Sequence, residues 1–289
     1  MDSAAKAAQQ SEIDNMFERN IIDLGIPPYP VILKRFRDES SKDDPDFNRL
    51  AEIIMSDVSL SAGLIKTANS PFFGMRKKVR SAHEAIVILG LMTTSSAVAG
   101  IILRNSFPTV PNLERFWDAS GRIALLSGWL AQKLSIVGLL SEDAYTFGLF
   151  RDCGIPVVLR WFPKYQGILE EANQNSEQSF IEVEQSKLPT NHAKVGSVLA
   201  RSWLLPEEMC SAIRNHHDLA ILESDSAEVT LPGRRLIAVS QLAEYIVQQQ
   251  LNLSLTQEWP KLGAACLKLL NLNGEQLENI LAEAKHDHE

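Results

Sequence analysis

The sequence predicts an all-α, multi-helix protein. Apolar residues recur about three or four positions apart along most of its 289 residues, as on a helix face that is buried against a core. Capping Ser and Asp residues, and breaks that contain Pro or Gly, separate these stretches. No stretch sustains the alternation of apolar and polar residues that is typical of a half-buried strand. We therefore expect an N-terminal helical bundle that packs on a second helical bundle.

The N-terminal part of the chain is expected to contain several short helices. Ser11 can cap the first, in which apolar residues recur from Ile13 to Leu24. Gly25 and the proline-rich run that follows it then end this helix. Further helices are predicted over residues 31–37, 46–55 and 58–68, and Asp57 is placed to cap the last of them.

A longer apolar helix follows, and its start has a recognisable cap. Ser81 and Glu84 have the spacing of a capping box, in which the serine hydroxyl accepts from the amide of Glu84 and the glutamate reaches back to the serine amide. Gly90 and the threonines after it indicate a joint, beyond which the helix is expected to continue to about Arg104.

Two prolines, Pro108 and Pro111, mark the clearest internal boundary. We therefore divide the chain into an N-terminal helical subdomain, residues 1–111, and a second helical subdomain, residues 112–289.

The second subdomain is also predicted to be helical throughout. A long helix is expected over residues 116–134, and another begins at Ser141 and runs into Arg151. After several shorter helices, the chain is predicted to end with helices near residues 234–250, 260–271 and 274–285.

Composition narrows the possible functions. The chain is 45% hydrophobic and 22% charged, which is ordinary for a globular protein, and its net charge of −8 argues against a diffuse nucleic-acid surface. The longest uninterrupted apolar runs are far shorter than the roughly 20 residues that span a bilayer, and the N-terminus lacks the pattern of a signal peptide. The three cysteines form no CxxC motif, so neither a zinc knuckle nor a disulfide framework is indicated. We expect a cytoplasmic protein with no membrane partner.

The stretch from Gly148 to Pro156 is the most informative for function. It has the layout of a helix turn that carries two adjacent metal ligands, a His followed by an Asp, but the first of these positions holds Arg151. A guanidinium is a permanent cation without a lone pair to donate, so only Asp152 could still bind a metal. The stretch therefore favours binding or signalling over catalysis.

Several segments, taken in order, resemble the HDOD family, the regulatory relatives of the HD-domain metal-dependent phosphohydrolases. The resemblance extends over about residues 20–250, which implies that the two subdomains form one HDOD unit with an HD-like second bundle. The matching segments are Ile26–Pro30, Ile54–Gly74, Ala85–Leu91, Phe116–Trp117, Gly148–Gly154, Asn191–Gly196, Trp203–Pro206 and His216–Asp218.

The resemblance also implies where the hydrolase ligands would fall, and two of these positions cannot ligate. The first His maps onto Ala119, the His-Asp pair onto Arg151 and Asp152, and the last Asp near Glu244. A methyl group and a guanidinium cannot coordinate a divalent cation, and the guanidinium would repel it. The resemblance therefore predicts a degenerate metal site, no catalytic residues and no cofactor.

Three histidines could form a second cluster with Asp152. His192, His216 and His217 could make a residual site for one divalent transition metal, or simply a hydrogen-bonded polar cluster. His216 and His217 would point about 100° apart on a helix, so at most one of them is expected to join. For the same reason Arg151 is not expected to face Asp152.

The leading hypothesis is a non-catalytic output or adaptor module of bacterial signal transduction, a pseudo-hydrolase that acts through contacts with other signalling proteins. We expect it to work by bistable packing of its two bundles. Candidate contact surfaces are the helix 11–24, which could also mediate homo-oligomerisation, and the turn 69–74.

Two alternatives remain open from the sequence. One is a metal-dependent phosphohydrolase with a rearranged site built from Asp152, His192, either His216 or His217, and Glu244. The other is a nucleotide- or phosphate-binding regulatory domain in which Arg151 contacts the anion.

Overall fold

Aspartate caps define the first helices of the structure. Asp46 accepts the amide hydrogens at the start of α2 (Phe47–Met55), and Asp57 does the same for α3 (Val58–Ala68), with nearest distances of 2.8 Å. α1 (Val31–Ser40) precedes them and begins directly after the prolines.

The computed structural model describes residues 25–73, 77–107, 113–224, 228–251 and 255–286. The predicted helix 11–24 lies outside these residues, and so does the end of the turn 69–74.

The long helix α4 (Ala82–Asn105) has the predicted joint. Gly90 adopts φ 73° and ψ 168°, a left-handed backbone conformation that glycine tolerates, and the helix bends there. Ser81 caps the helix as predicted, but the carboxylate of Glu84 accepts the amide hydrogen of Arg80 instead of that of Ser81. Only half of the predicted capping box is therefore present.

The same helix connects the two halves of the chain. α4 packs on α2 and α3 on one side and on a helix of the second half, α6 (Ser141–Phe150), on the other. Among the described residues it is the one helix that is long and apolar enough to cross a membrane by length and composition, but a core helix passes the same test. In this structure 44% of its most apolar stretch is buried, and it contacts α2, α3 and α6.

Helices joined by turns and short loops make up the described part of the second half, and no strand occurs in the described ranges. This confirms the all-α prediction. Its helices are α5 (Leu113–Lys133), α6, α7 (Gly154–Trp161), α8 (Tyr165–Gln174), α9 (Phe180–Gln185), α10 (His192–Ser202), α11 (Glu207–Arg214), α12 (Leu219–Glu223), α13 (Leu231–Leu251), α14 (Glu258–Leu270) and α15 (Gly274–His286).

The core of this half is organised around α13. This helix contacts α5, α6, α11 and α14, and most of its residues are buried. Apolar burial of this extent is the main favourable term in the free energy of folding. The proposed division after residue 111 falls within residues 108–112, which lie outside the described ranges.

The turn that begins at Asn69 is anchored to its own protein. The Asn69 side-chain amide exchanges two hydrogen bonds with the backbone of Val79, both 2.8 Å long. Phe72 and Phe73 stack edge to face, and Phe73 packs against the core. The described part of this candidate contact surface therefore serves packing.

Glycines allow the helices of the second half to approach each other closely. A Cβ atom on Gly154, at the start of α7, would lie 2.0 Å from the carbonyl oxygen of His192 and 2.6 Å from the amide nitrogen of Gly196. Because both neighbours are backbone atoms, nothing flexible can move aside. This contact holds the turn between α6 and α7 against α10.

We predict that Gly154→Ala lowers the free energy of unfolding by about 1–3 kcal/mol, because the added methyl group overpacks a backbone contact. The matched control is Gly167→Ala in α8, where a Cβ meets nothing within 4 Å. An alanine at such an open helical position is expected to raise stability by about 0.5–1 kcal/mol. Urea unfolding followed by circular dichroism measures both changes, and equal effects of the two variants would contradict the prediction.

Candidate functional site

The turn between α6 and α7 carries Arg151 and Asp152 into the interior. Arg151 caps α6 with helical backbone angles (φ −52°, ψ −39°), but the helix does not continue into Asp152, and α7 begins only at Gly154. Arg151 Nε lies 3.1 Å from Asp152 Oδ2. The expectation that these side chains would point in different directions was wrong, since it assumed a helix that continues past Arg151.

Arg151 also contacts the third predicted site residue in this region. Its Nη2 atom lies 2.9 Å from Oε2 of Glu244 on α13, and only 3% of the Arg151 side chain is exposed. The guanidinium is thus buried between two carboxylates, Asp152 on one side and Glu244 on the other.

The opposite charges of Arg151 and the two carboxyl groups shift one another's pKa values. Burial lowers the pKa of Arg151, but the charges of Asp152 and Glu244 outweigh it and raise the pKa above its ordinary value. Burial raises the pKa of Asp152, but Arg151 and hydrogen bonds from His192 and His216 hold it well below its ordinary value. Burial raises the pKa of Glu244, and Arg151 offsets this only in part. The result is a fixed cation that is held by a firmly ionised aspartate and a second carboxyl group.

The residues at the predicted hydrolase positions do not fit a metal ion. Ala119 on α5 is half-buried and lines the same cleft as Arg151 and Glu244, but it offers only a methyl group. The guanidinium lies between the two carboxylates that remain of the predicted ligand set. A divalent cation there would meet one fixed positive charge and too few lone pairs.

A second cluster, which we call the histidine cluster, adjoins this group. It consists of Asp152, His192, His216 and His217. His216 Nε2 lies 3.1 Å from Asp152 Oδ1, and His217 Nε2 lies 3.2 Å from His192 Nε2. His192 Nε2 is 3.5 Å from Asp152 Oδ1, and one ligand atom from each of the four residues lies within 4.8 Å of the others.

Both members of the adjacent histidine pair join the cluster. α11 ends at Arg214, and His216 and His217 lie in the turn that follows it, with ring centroids 4.0 Å apart. The expectation that at most one of them would join was wrong, because helical geometry does not apply in that turn.

Each imidazole is held from outside through its Nδ1 atom. His192 Nδ1 lies 2.9 Å from Glu184 Oε2, and His216 Nδ1 lies 2.7 Å from the carbonyl oxygen of Ile213. His217 Nδ1 makes a close contact with Glu258. The two glutamates were not predicted, since they are 8 and 41 residues from their histidines and no sequence motif connects them.

The two outer glutamates are themselves supported. The Tyr165 hydroxyl donates to Glu184, and Lys261 Nζ lies 2.5 Å from Glu258 Oε1. Burial raises the pKa of Glu258, but the charge and hydrogen bond of His217, together with Lys261, lower it to about 2. Glu258 is therefore a charged acceptor beside His217.

The protein environment separates the pKa values of two of the histidines. Burial lowers the pKa of His192, but Glu184 and Asp152 outweigh it and raise this pKa to about 10. Burial and the neighbouring His217 lower the pKa of His216 to about 3. Phe180 forms the wall of the cluster, since its ring stacks on His217 at 4.8 Å and meets His192 edge to face at 5.2 Å.

The site opens into a cleft of about 1320 Å³ that both halves of the chain line. The second half contributes Asp152, Glu244 and His217 to the cleft wall. The first half contributes Arg104, near the end of α4, and Phe107, just after that helix. A molecule in this cleft would contact both bundles at once.

Comparison with known proteins agrees with this architecture. The family model of the HDOD domain matches residues 26–219. An uncharacterized protein of Treponema pallidum (strain Nichols) is 28% identical over 200 residues, which are 67% of this chain and 38% of that protein. The chain therefore spans well under half the length of this relative.

Solved structures with the same fold include two of nearly equal length. One is named "Putative phosphohydrolase", from Shewanella amazonensis SB2B, with a TM-score of 0.68, 20% identity and coverage of 96% of this chain and 95% of the other. The second is an HDOD domain protein with unknown function from Geobacter sulfurreducens, with a TM-score of 0.65, 19% identity and coverage of 96% and 95%. At these identities the likeness concerns the fold.

We predict that Arg151→Met lowers the free energy of unfolding by about 3–5 kcal/mol, because it leaves Asp152 and Glu244 without their buried counterion. Arg122→Met is the matched control. It removes an ion pair with Asp118 in which both side chains are about half exposed, and should change stability by less than about 0.5 kcal/mol.

The measurement is chemical unfolding of Arg151→Met, Arg122→Met and the double variant Arg151→Met/Glu244→Leu. The double variant distinguishes the effect of an unpaired charge from the effect of lost packing. The double variant should recover part of the lost stability, because one unpaired carboxylate is also removed. If Arg151→Met were as stable as Arg122→Met, Arg151 would not be the stabilising counterion of Asp152 and Glu244.

Proposed function

The chain belongs to the HDOD domain family, and on that basis we propose that it is a non-catalytic signal-transduction module that acts through contacts with other signalling proteins. The family is related to the HD phosphohydrolases. One neighbour by fold is named "Putative signal transduction protein", from Marinobacter aquaeolei VT8, with a TM-score of 0.66 and 20% identity over 97% of this chain and 64% of that one. These relationships support a signalling role.

The observation that carries the proposal is the buried Arg151 guanidinium. It takes the place of a hydrolase metal as the counterion of Asp152 and Glu244, while Ala119 removes a further ligand. Metal-dependent hydrolysis needs an ion with an open coordination position that can activate water. A guanidinium offers neither, so this part of the cleft is degenerate as a catalytic site.

The way the two halves pack supports regulation by population shift. α4 contacts both bundles, it bends at Gly90, and the cleft between the halves is lined from both sides. A protein that binds one packing arrangement more tightly than the other shifts the chain toward that arrangement. Because its net charge is −8, the module is expected to bind proteins and not nucleic acid. We expect it to act in the cytoplasm.

Binding of a nucleotide or phosphate to Arg151 remains a weaker alternative. The guanidinium lines the cleft, but Asp152 and Glu244 already balance its charge. Arg104 and Arg115 also line the cleft, but so do three further acids, Glu114, Glu170 and Glu258, so the lining carries more negative than positive charge and does not favour an anion.

We predict no metal-dependent phosphatase or phosphodiesterase activity. Protein purified without chelator should hydrolyse phosphomonoesters and cyclic dinucleotides, with Mn²⁺, Mg²⁺ or Fe²⁺ present, no faster than its Asp152→Ala variant. Turnover that is lost on Asp152→Ala would establish the rearranged phosphohydrolase and overturn the proposal. Calorimetric titration of the same preparation with nucleotides covers the anion alternative, and heat that Arg151→Met removes while circular dichroism shows the variant to be folded would favour it.

Protein contacts can be tested on the N-terminal bundle, where Val58 is 84% exposed. A photo-cross-linking residue in place of Val58 should capture a distinct signalling protein in the host cell. The matched control position is Leu255, an apolar residue of the second half that is 55% exposed. The same cross-linked species at both positions, or none at Val58, would count against a specific contact through this bundle.

A further inference from the structure

The described chain begins against an exposed tryptophan. Gly25, its first residue, has a φ angle of 59°, the left-handed conformation that commonly follows the last turn of a helix. A Cβ atom on Gly25 would lie 3.1 Å from Nε1 of Trp161, the last residue of α7. Two residues later the carbonyl oxygen of Pro27 accepts a hydrogen bond of 2.8 Å from the Trp203 indole, at the end of α10. Residues 1–24 therefore precede the described chain at the point where α7 and α10 end.

Two large apolar side chains are exposed at this point. Trp161 is 52% exposed, and Leu204, which follows Trp203, is 55% exposed. Leu204 has a φ angle of 63°, a left-handed conformation that disfavours residues with a branched side chain. The position thus carries an apolar side chain where glycine would suit the backbone and a polar group would suit the solvent. We call Trp161 and Leu204 the exit patch, because Trp161 and the neighbour of Leu204 contact residues 25–27.

The sequence just before Gly25 carries an apolar face that complements the exit patch. One side of a helix over residues 13–24 would carry Ile13, Met16, Phe17, Ile21 and Leu24. A helix of about 12 residues is marginal in water on its own, so it needs an apolar surface against which to fold. Leu24 precedes Gly25 directly, so the last turn of this helix would be held covalently beside Trp161.

Charge favours the same segment as the occupant of the exit patch. Arg160 and Lys164 are exposed near the end of α7, and an Nη atom of Arg160 lies 3.6 Å from the Cβ position of Gly25. Residues 1–24 contain five acids and two bases, and Asp23 lies two positions before Gly25. An acidic segment that ends beside these cations gains favourable ion pairs that salt weakens.

We propose that residues 13–24 form an amphipathic helix whose apolar face docks on the exit patch of the same chain. The covalent connection gives this helix an effective concentration of about a millimolar at the patch, which favours it over a second copy of the chain or another protein. The inference goes beyond the proposed function, which requires contacts with partners but no docking of this segment.

Docking in this way decides which side of the segment a partner meets. The apolar face of the helix is buried, so self-association through residues 11–24 is not expected. Glu18 and Arg19 lie on the opposite side of the helix and face solvent. A protein that binds the exit patch must first displace the helix, so the segment competes with such a partner.

Hydrogen exchange of the full chain, followed by mass spectrometry, tests the docking. Amides of residues 13–24 should exchange at least about 10-fold more slowly than those of an unfolded chain. Trp161→Ala and Leu204→Gly should each make this exchange roughly 5-fold faster or more, because each removes an apolar side chain from beneath the helix. Leu204→Gly does not weaken the end of α10, since glycine adopts a φ angle of 63° without strain.

Matched variants separate docking from general effects on folding. Phe17→Ser should abolish the slow exchange, whereas Ile22→Ser should not change it, because position 22 lies about 140° around the helix from position 17. Arg160→Gln/Lys164→Gln should speed the exchange about 2- to 10-fold, and by less at high salt. Val137→Ala is the control for the patch variants, since Val137 is 82% exposed between α5 and α6. Amides of α13 show in the same experiment whether each variant is folded.

Three results would overturn the docking. The first is fast exchange of residues 13–24 in the unmodified chain. The second is slow exchange that Trp161→Ala and Leu204→Gly leave unchanged, since the segment would then fold elsewhere. The third is a dimer on size-exclusion chromatography that Phe17→Ser dissociates, which would assign the apolar face to a second copy. None of them bears on the phosphatase assay or on cross-linking from Val58, so the non-catalytic signalling role is tested separately.

Discussion

The buried ion triad of Arg151 with Asp152 and Glu244 is the constraint on which the site depends. Two carboxylates inside a helical bundle destabilise the fold unless a cation accompanies them, and in this chain the cation is attached covalently. The triad joins the turn after α6 to α13, the helix at the centre of the second half. Because the cation is a side chain, this connection does not depend on the concentration of any ion in solution.

Asp152 links the triad to the histidine cluster, and its position follows from local packing. Gly154 lets the start of α7 meet the backbone of α10 at a distance that no side chain would permit. That approach sets the turn 151–153 beside His192, so that one oxygen of Asp152 reaches the guanidinium and the other reaches the imidazoles. A backbone contact between two small residues thus decides which charged groups can meet.

Sequence reasoning succeeded where the structure is decided locally and fell short where it is decided by turns and distant contacts. The cap of Asp57 and the joint at Gly90 depend on neighbouring residues, and both were predicted correctly. The contact of Arg151 with Asp152 and the presence of both His216 and His217 in the cluster were not, because a helix was assumed where the chain forms turns. Glu184 and Glu258 could not be found at all, since their role exists only once α9 and α14 have packed beside the histidines.

If the histidine cluster binds a metal ion, it and the Arg151 triad would respond differently to the metal concentration in the cell. A ligand that binds only the folded state stabilises it in proportion to the logarithm of its concentration, so metal supply would change the stability of the fold. The Arg151 triad gives no such response, because its cation cannot dissociate. The cleft between the bundles adjoins both groups. A change in the histidine cluster would therefore reach the cleft that both halves of the chain line, while the Arg151 triad continues to join the turn after α6 to α13.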